Sequence, residues 1–531
     1  MALIDVADLP SFQVVCLALA VIMLVVNTIE VGRNDAANLV NAVYGSRVMR
    51  RRPAVLLAGV AVVLGAVMSS DVIDTARKGI FNPAELGAAG GVGAIESALA
   101  IFAAVYIVNT VLLYGYSAFG MPVSTTACLV FALLGGAMAV GFDTIRWPTA
   151  GKVMLGIFCS IVLSGFGAFV VQRAARGAIR DRSTQLPTLL LHGGWIGGGI
   201  ISVLSYFLLL KGMKNVGWVK QFNEWLNEFN EATDLGIAGI LLILVMWGLS
   251  AIAIHALLVV FRKRAAKLLF PVLAVLGMLA MAFSFGQNDL ANCASPGLAI
   301  YSILDAQSVD VGSKIPIAWW KLLVCGLLLF AGMTTKTAER VTKAEVATGS
   351  MGDHVALWAP NWCVSLARRV LPLRGRTPSL APRAGFTKSG RTLHYDALRA
   401  AVITSVSAAV ISTASGLGLP VSTTYVAFAA VMATGMADRI FQRGDAALKL
   451  GRSIWVVTSW ILSAIIAAAS AFAVAIAIKR FEIVAIVGLV AINLILRRQL
   501  KARGDRQAKL VDDEAYERAH PDEFALEQED A

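Results

Sequence analysis

Charge is scarce in this chain of 531 residues. Asp, Glu, Lys and Arg together make up 15% of it, against the ~25% of an average soluble domain. So little charge cannot cover the solvated surface of a large globular protein. Cysteine is sparse and scattered: Cys16, Cys128, Cys159, Cys293, Cys325 and Cys363 include no C-x-x-C pair. Most lie in apolar runs, where they read as small packing residues and not as a disulfide framework or zinc site. The five histidines (His192, His255, His354, His394, His520) neither cluster nor share a motif. No His-ligated metal centre and no organic cofactor are expected. A G-x-x-x-x-G-K-[ST] loop is missing, so nucleotide hydrolysis by that route is excluded. Met1 to Pro10 carries Asp5 and Asp8 and no positive n-region. Cleavage of a secretory signal is therefore not expected, and the first apolar segment should stay.

What the chain has in excess is apolar sequence. Hydrophobic residues make up 57% and mean hydropathy is +0.72. Runs near the ~20 residues of a spanning helix recur at 12–31, 53–70, 93–118, 124–141, 153–171, 186–210, 235–260, 268–286, 317–333, 396–418, 425–437, 453–478 and 482–496. The reading is an all-α polytopic membrane protein with about 12–13 transmembrane helices. The net charge of +12 does not indicate nucleic acid, because most Lys and Arg sit in loops at helix ends. Arg47, Arg50, Arg51 and Arg52 follow the first span. Arg173, Arg176, Arg180 and Arg182 follow the fifth, and Arg262, Lys263, Arg264 and Lys267 the seventh. If every span crosses, all three clusters share one side, which the positive-inside rule makes cytoplasmic. The loops 71–91 and 211–234 then lie outside, as does the N-terminus.

Two phrases occur twice, each inside apolar sequence. Gly32-Arg33-Asn34-Asp35-Ala36-Ala37-Asn38 is matched by Gly286-Gln287-Asn288-Asp289-Leu290-Ala291-Asn292. Pro122-Val123-Ser124-Thr125-Thr126 is matched by Pro420-Val421-Ser422-Thr423-Thr424. An ionisable residue at the bilayer centre costs at least ~2.5–3.5 kcal/mol, and such residues mark function by default. Counting crossings, the first copy begins outside and the second inside. The pattern is that of two inverted-topology repeats with broken helices, as in secondary transporters. Asn109 lies fifteen residues before Ser124, and Ser407 fifteen before Ser422, so the spacing repeats too.

The chemistry of these phrases suits a buried anion. Asn amides, Ser and Thr hydroxyls and helix-start N–H groups can replace the hydration shell of an oxyanion. Gly-x-Pro-Val-Ser-Thr-Thr reads as a break followed by a capped helix start. The aspartates would hold a coupling cation, Na⁺ or H⁺, or accept a hydrogen bond from a protonated oxyanion. The second role favours phosphate, which keeps a proton at neutral pH, over sulfate, which does not. Arg33 is expected to pair with Glu30 or Asp35. Glu96, at the start of the third span, is a further coupling-ion candidate beside Asp35 and Asp289, although an interfacial glutamate is the simpler reading.

At these residues the chain resembles the inorganic phosphate transporter (PiT) family, which carries G-x-N-D-x-x-N and P-V-S-T-T phrases in two inverted halves. Gly45-Ser46 and Ser295-Pro296 fit the same pattern. The resemblance runs roughly over 15–475. It departs at Arg33, where family members often have a small residue, and at Ala127 and Tyr425, where they often have His. It implies uptake of inorganic phosphate, alone or as a metal complex, with Na⁺ or H⁺. It also implies a homodimer in a plasma membrane or bacterial inner membrane. Substrate binding would fall to Asn34, Asp35, Asn38, Ser124, Thr125, Thr126, Asn288, Asp289, Asn292, Ser422, Thr423 and Thr424. A sulfate symporter of the same fold and an anion channel are the alternatives, and no nucleophile–base constellation marks an enzyme. The expected organisation is a first repeat at 12–171, a connector with two transmembrane helices at 172–267, and a second repeat in two parts, 268–333 and 396–478. A solvated cytoplasmic loop at 334–395 divides that second repeat. An extra helix and cytoplasmic tail, acidic toward Asp522, Glu523, Glu527, Glu529 and Asp530, fill 479–531.

Overall fold

The computed structural model describes residues 9–69, 80, 81, 83, 86, 93–214, 216–233, 237–309, 318–371, 393–442 and 444–519. Among them the chain is helical, and an isolated bridge between Phe81 and Ile145 stands outside the helices. In chain order the helices are α1 (Ser11–Gly45), α2 (Arg51–Val67), α3 (Ala94–Ala118), α4 (Thr125–Met138), α5 (Trp147–Ile179) and α6 (Leu186–Ser205). They continue as α7 (Gly217–Thr233), α8 (Ala238–Ala306), α9 (Trp319–Met333), α10 (Lys336–Thr348), α11 (Asn361–Val370), α12 (Ala397–Gly416), α13 (Thr423–Ala437) and α14 (Ala446–Ala519). Seven are long and apolar enough to cross a membrane, or eight if α9 and α10, bent by 66° at their junction, count as one span.

Two of the seven are pairs. Helix α8 breaks at Arg262 (φ 42°) and α14 at Glu482 (φ 44°), a left-handed backbone that non-glycine residues seldom adopt. The chain turns back at both points. Trp247, before the first break, bonds the Trp195 carbonyl on α6, while Leu269 and Leu273, after it, pack at Gly197 of the same helix. Likewise Ser459 and Asn493, on opposite sides of the second break, both bond to α3. With these breaks, each spanning candidate of the sequence has a helical segment of its own.

Burial sorts the helices. In α3 and α12 most of the apolar stretch is buried, whereas α5 and the first arm of α8 turn large apolar side chains outward, among them Phe158, Phe166, Ile252 and Val260. A helix that is apolar all round belongs inside a bundle or against lipid. Here α1, α3, α12 and the second arm of α8 form the interior, and α5 the wall.

Three expectations need correction. The spans expected to stop at 31 and 286, short of the Asn-Asp phrases, instead run on helically to Gly45 and Ala306. Inside the protein the polar residues find partners, so their helices need not end. The segment 334–395 is not simply a solvated loop: α10 buries Val341, Thr342, Glu345 and Val346, and Asn41 of α1 donates to Glu345 at 2.8 Å. The 211–234 stretch, expected as a loop, contains α7, which exposes Trp218 and Trp225 and buries Val219 and Leu226. That is the amphipathic pattern of a helix lying in an interface. Most of 71–91, together with 372–392 and the acidic end 520–531, lies outside the described residues.

Close backbone approach is required at the glycine that opens each Asn-Asp phrase. A Cβ at Gly32 would run into the Leu329 carbonyl of α9, and one at Gly286 into the Val62 carbonyl of α2. The facing helices reciprocate: Gly332 of α9 meets the Ile29 carbonyl, and Gly65 of α2 meets that of Phe283. Small residues let membrane helices touch backbone to backbone. These contacts fix the depth of each phrase against a helix far away in sequence.

Below them, at the end carrying the basic loops, Arg176 of α5 ties two more helices together. It donates to both carboxylate oxygens of Asp396 (2.8 and 2.9 Å), the N-cap of α12. It also donates to both oxygens of Asp438 (3.0 and 3.1 Å), the C-cap of α13. All three residues are buried. Removing one partner of such a set costs about 3–5 kcal/mol, because charge is left behind without compensation. Arg176→Gln should therefore lower the thermal midpoint of the detergent-solubilised protein sharply. Arg173→Gln, which loses a contact of a half-open side chain to the Ala437 carbonyl, should leave it nearly unchanged. Equal midpoints for the two variants would remove Arg176 from this role.

Candidate functional site

The four duplicated phrases, separated by hundreds of residues, meet in one buried cluster. Each Pro-Val-Ser-Thr-Thr run is extended and then starts a helix, as its sequence requires. Ser124 Oγ accepts from the Ala127 N–H at 3.0 Å and caps α4. Ser422 Oγ accepts from the Tyr425 N–H at 3.1 Å and caps α13. Gly120 (φ 63°) and Gly418 (φ 68°) supply the left-handed residue that ends the preceding helix, the usual task of glycine there.

The contacts of the two halves match, first within each half. Asn34 Nδ2 donates to the Val123 carbonyl at 2.6 Å, and Asn288 Nδ2 to the Val421 carbonyl at 2.7 Å. They then cross between halves. Asn38 Nδ2 donates to Thr424 Oγ1 (3.1 Å), and Asn292 Nδ2 to Thr126 Oγ1 (2.8 Å). Thr424 donates to the Val123 carbonyl (3.1 Å) and Thr126 to that of Val421 (2.9 Å).

At the centre are the carboxylates, both fully buried. Asp35 Oδ1 accepts from Asn34 Nδ2 (2.9 Å), Asn38 Nδ2 (3.0 Å) and Thr424 Oγ1 (2.8 Å). Asp289 Oδ1 accepts from Asn292 Nδ2 (2.6 Å) and Thr125 Oγ1 (2.9 Å). None of the hydrogen-bond donors to these two carboxylates is a cation. Four buried oxygens of the cluster have no hydrogen-bond partner among the described residues: Asp35 Oδ2, Asn38 Oδ1, Asn292 Oδ1 and Thr423 Oγ1. Groups of this kind call for an explanation, an ion among them. All are hard oxygen donors, the set that a hard cation prefers, so the residues present suit a coupling cation.

The cluster thus contains ten of the twelve binding candidates directly and holds the other two, Ser124 and Ser422, as helix caps. Arg33 pairs with Glu30 at 2.7 Å and does not reach into the cluster. Glu96 stands apart, exposed in the first turn of α3, in keeping with an interfacial glutamate.

Several supporting residues were not foreseen. Arg497 of α14 also binds Glu30, and both guanidiniums lie over the Tyr114 ring. Tyr106 mends α8 beside Pro296: its hydroxyl accepts from the Gly297 N–H and donates to the Cys293 carbonyl, both at 2.8 Å. Trp460 stacks on Tyr425 at 3.9 Å and donates to the Pro122 carbonyl. Only a local signal exists for these, an aromatic or a polar residue in an apolar run, and it does not name the partner. Asn109 and Ser407, noted for their spacing, are both buried, each with an oxygen lacking a partner.

Several known proteins are similar to this chain. Relatives named as candidate phosphate permeases include one from Haemophilus influenzae, 25% identical over 446 residues, covering 82% of this chain and 89% of its own. Another, from Thermococcus kodakarensis, is 27% identical over 451 residues and covers 82% and 91%. A solved structure described as the sodium-dependent phosphate transporter has the same fold, with a TM-score of 0.62 at 22% identity, over 88% of this chain and 99% of that one. A family profile described as the phosphate transporter family matches residues 31–345 and 387–471, and the chain accordingly belongs to the phosphate transporter family.

Proposed function

We propose that this protein is a secondary symporter that takes up inorganic phosphate together with Na⁺. The observation that carries the reading is the crossed cluster: two buried carboxylates held by neutral donors from both halves of the chain. Two carboxylates and a phosphate dianion cannot share a low-dielectric site unless cations enter with the substrate. The unpartnered oxygens of Asp35, Asn38, Asn292 and Thr423 suit Na⁺, and the structural relative is named for sodium dependence. The N-terminal ends of α4 and α13 would present N–H groups and partial positive charge to the anion. A carboxylate in the shell can accept the proton that phosphate retains.

The same reading makes 12–171 one repeat and 268–333 with 396–478 the other, inverted, with 172–267 as connector. Gln13, near the start of α1, meets Gln307, just past the end of α8, while the Asp35 and Asp289 segments meet at the cluster. The two motif helices therefore run antiparallel, as inversion requires. The resemblance extends the proposal to a homodimer. Every donor named above comes from a single chain.

Three outcomes are expected. Asp35→Asn and Asp289→Asn should each reduce Na⁺-driven uptake of radiolabelled phosphate into proteoliposomes to background while the protein still inserts. Undiminished uptake in both would end the reading, and uptake that follows a proton gradient but not a Na⁺ gradient would replace the coupling ion. Arsenate should compete well and sulfate poorly. Ser124→Ala with Ser422→Ala should weaken binding more than it alters the phosphate-to-sulfate ratio. Each hydrogen bond to a charged group is worth roughly 1.5–3 kcal/mol, about ten- to a hundredfold in affinity. Equal competition by sulfate and arsenate would make this a sulfate carrier. In a cysteine-free background, Cys at Glu224 should label from outside intact cells and Cys at Lys267 should not; the reverse would cancel the inversion.

A further inference from the structure

The transport cluster does not use a cavity that lies at the basic-loop end. That cavity measures about 620 Å³ and lies between α10, the loop after it and the last arm of α14. Its walls carry four cations, Lys336, Arg340, Lys343 and Arg452, against two carboxylates, Glu339 and Asp512. Arg340 is also held by Asp505 (2.6 Å) and Lys343 by Glu339 (3.1 Å). His394, on the wall as well, adds no charge near neutral pH: burial, then Arg47 and Lys449, push its imidazole down to about 4.

Arg452 is the unusual member. It is buried, yet among the described residues no carboxylate lies within ion-pair reach. Its guanidinium donates to two carbonyls, those of Trp358 (3.0 Å) and Gly120 (2.8 Å). A buried cation compensated by carbonyls alone favours an anion beside it. Gly120 is the left-handed residue that turns α3 into the first Pro-Val-Ser-Thr-Thr run. Arg340 grips the neighbouring Ala118 carbonyl. Both guanidiniums therefore hold the backbone from which Val123 reaches Asn34 and Thr424. The opposite wall is formed by Gly504, Gln507 and Ala508, beyond residue 471, where the family match ends.

We propose that this cavity is a second anion site, on the cytoplasmic side, that binds a small phosphate-bearing anion, inorganic or as a short ester, between Arg452, Arg340 and the lysines of α10. Arginine suits phosphate through its planar fork, and lysine as a mobile point charge at the rim. An anion there draws the guanidiniums of Arg452 and Arg340 away from the carbonyls of Gly120 and Ala118 and so loosens the loop. Its binding stands apart from the transport reading; its effect on transport, a response to the internal phosphate supply, rests on that reading.

The test uses the full chain, with its six cysteines replaced by serine and Ala508→Cys added, in nanodiscs of zwitterionic lipid. Inorganic phosphate, and pyrophosphate in a second series, should slow maleimide labelling of that cysteine at least fivefold. The same protection should persist with Asp35→Asn, which disables the membrane cluster. It should vanish with Lys336→Glu plus Lys343→Glu, two exposed positions that do not threaten folding, and with Arg452→Gln. Unprotected labelling overturns the proposal. So does protection that disappears with Asp35→Asn, because the anion is then acting at the transport cluster, whose reading survives. Protection by phosphatidylglycerol in the nanodisc, with none from free phosphate, assigns the cavity to a lipid headgroup instead.

Discussion

The structure depends on keeping two carboxylates buried in an apolar bundle with no cation of the protein beside them. Asp35 and Asp289 are shut off from the surface, and the nearby guanidinium of Arg33 is engaged by Glu30. They are held by neutral donors, and the donors come crosswise: Thr424 for Asp35, Thr125 for Asp289. Each acid also takes donors from its own half, Asn34 and Asn38 for Asp35 and Asn292 for Asp289, so both halves contribute to each. The crossed bonds form only when both halves are in place, so polar satisfaction helps to fix their register.

The rest of the bundle can be understood as support for that arrangement. Gly32 and Gly286 bring each motif helix against α9 or α2 at backbone distance. Tyr106 restores the hydrogen bond that Pro296 would otherwise disturb. Trp460 and Tyr425 brace the run that leads into α4. At the basic-loop end, Arg176 joins α5 to the caps of α12 and α13. The centre is polar, adaptable and short of cations; its surroundings are tightly packed. A site that must exchange a solute benefits from that division, because neutral hydrogen bonds can be traded one for one, while packed backbone contacts hold the frame.

Charge is distributed with the same economy. Several cations gather at the basic-loop end, where they line the cavity beside α10. Arg33 is turned away from the cluster by Glu30, and Arg497 joins it there. A free guanidinium one residue from Asn34 would have offered a strong competing partner to Asp35. The pairing with Glu30 removes it and leaves the carboxylates to their neutral donors.

The sequence by itself determined the class of protein, the candidate spans and the polar residues that meet in the cluster. Apolar runs, basic ends and duplicated polar phrases are local signals, and the penalty for polarity in lipid makes them hard to mistake. It also set the helix starts at Ser124 and Ser422, and it narrowed the partner of Arg33 to Glu30 or Asp35, between which the structure chose Glu30. It did not reveal that the motif helices run through Asn34 and Asn288, because whether a polar segment stays helical depends on donors supplied from elsewhere. It misjudged 334–371, where α10 is held by Asn41, because a polar helix looks like a loop until its buried partner is known. The crossing of Asn38 to Thr424 and Asn292 to Thr126, the bracing by Trp460 and Arg497, and the cavity at Arg452 belong to tertiary structure alone. Each joins residues separated by tens to hundreds of positions, and no periodicity or spacing records which distant group will satisfy a given hydrogen bond.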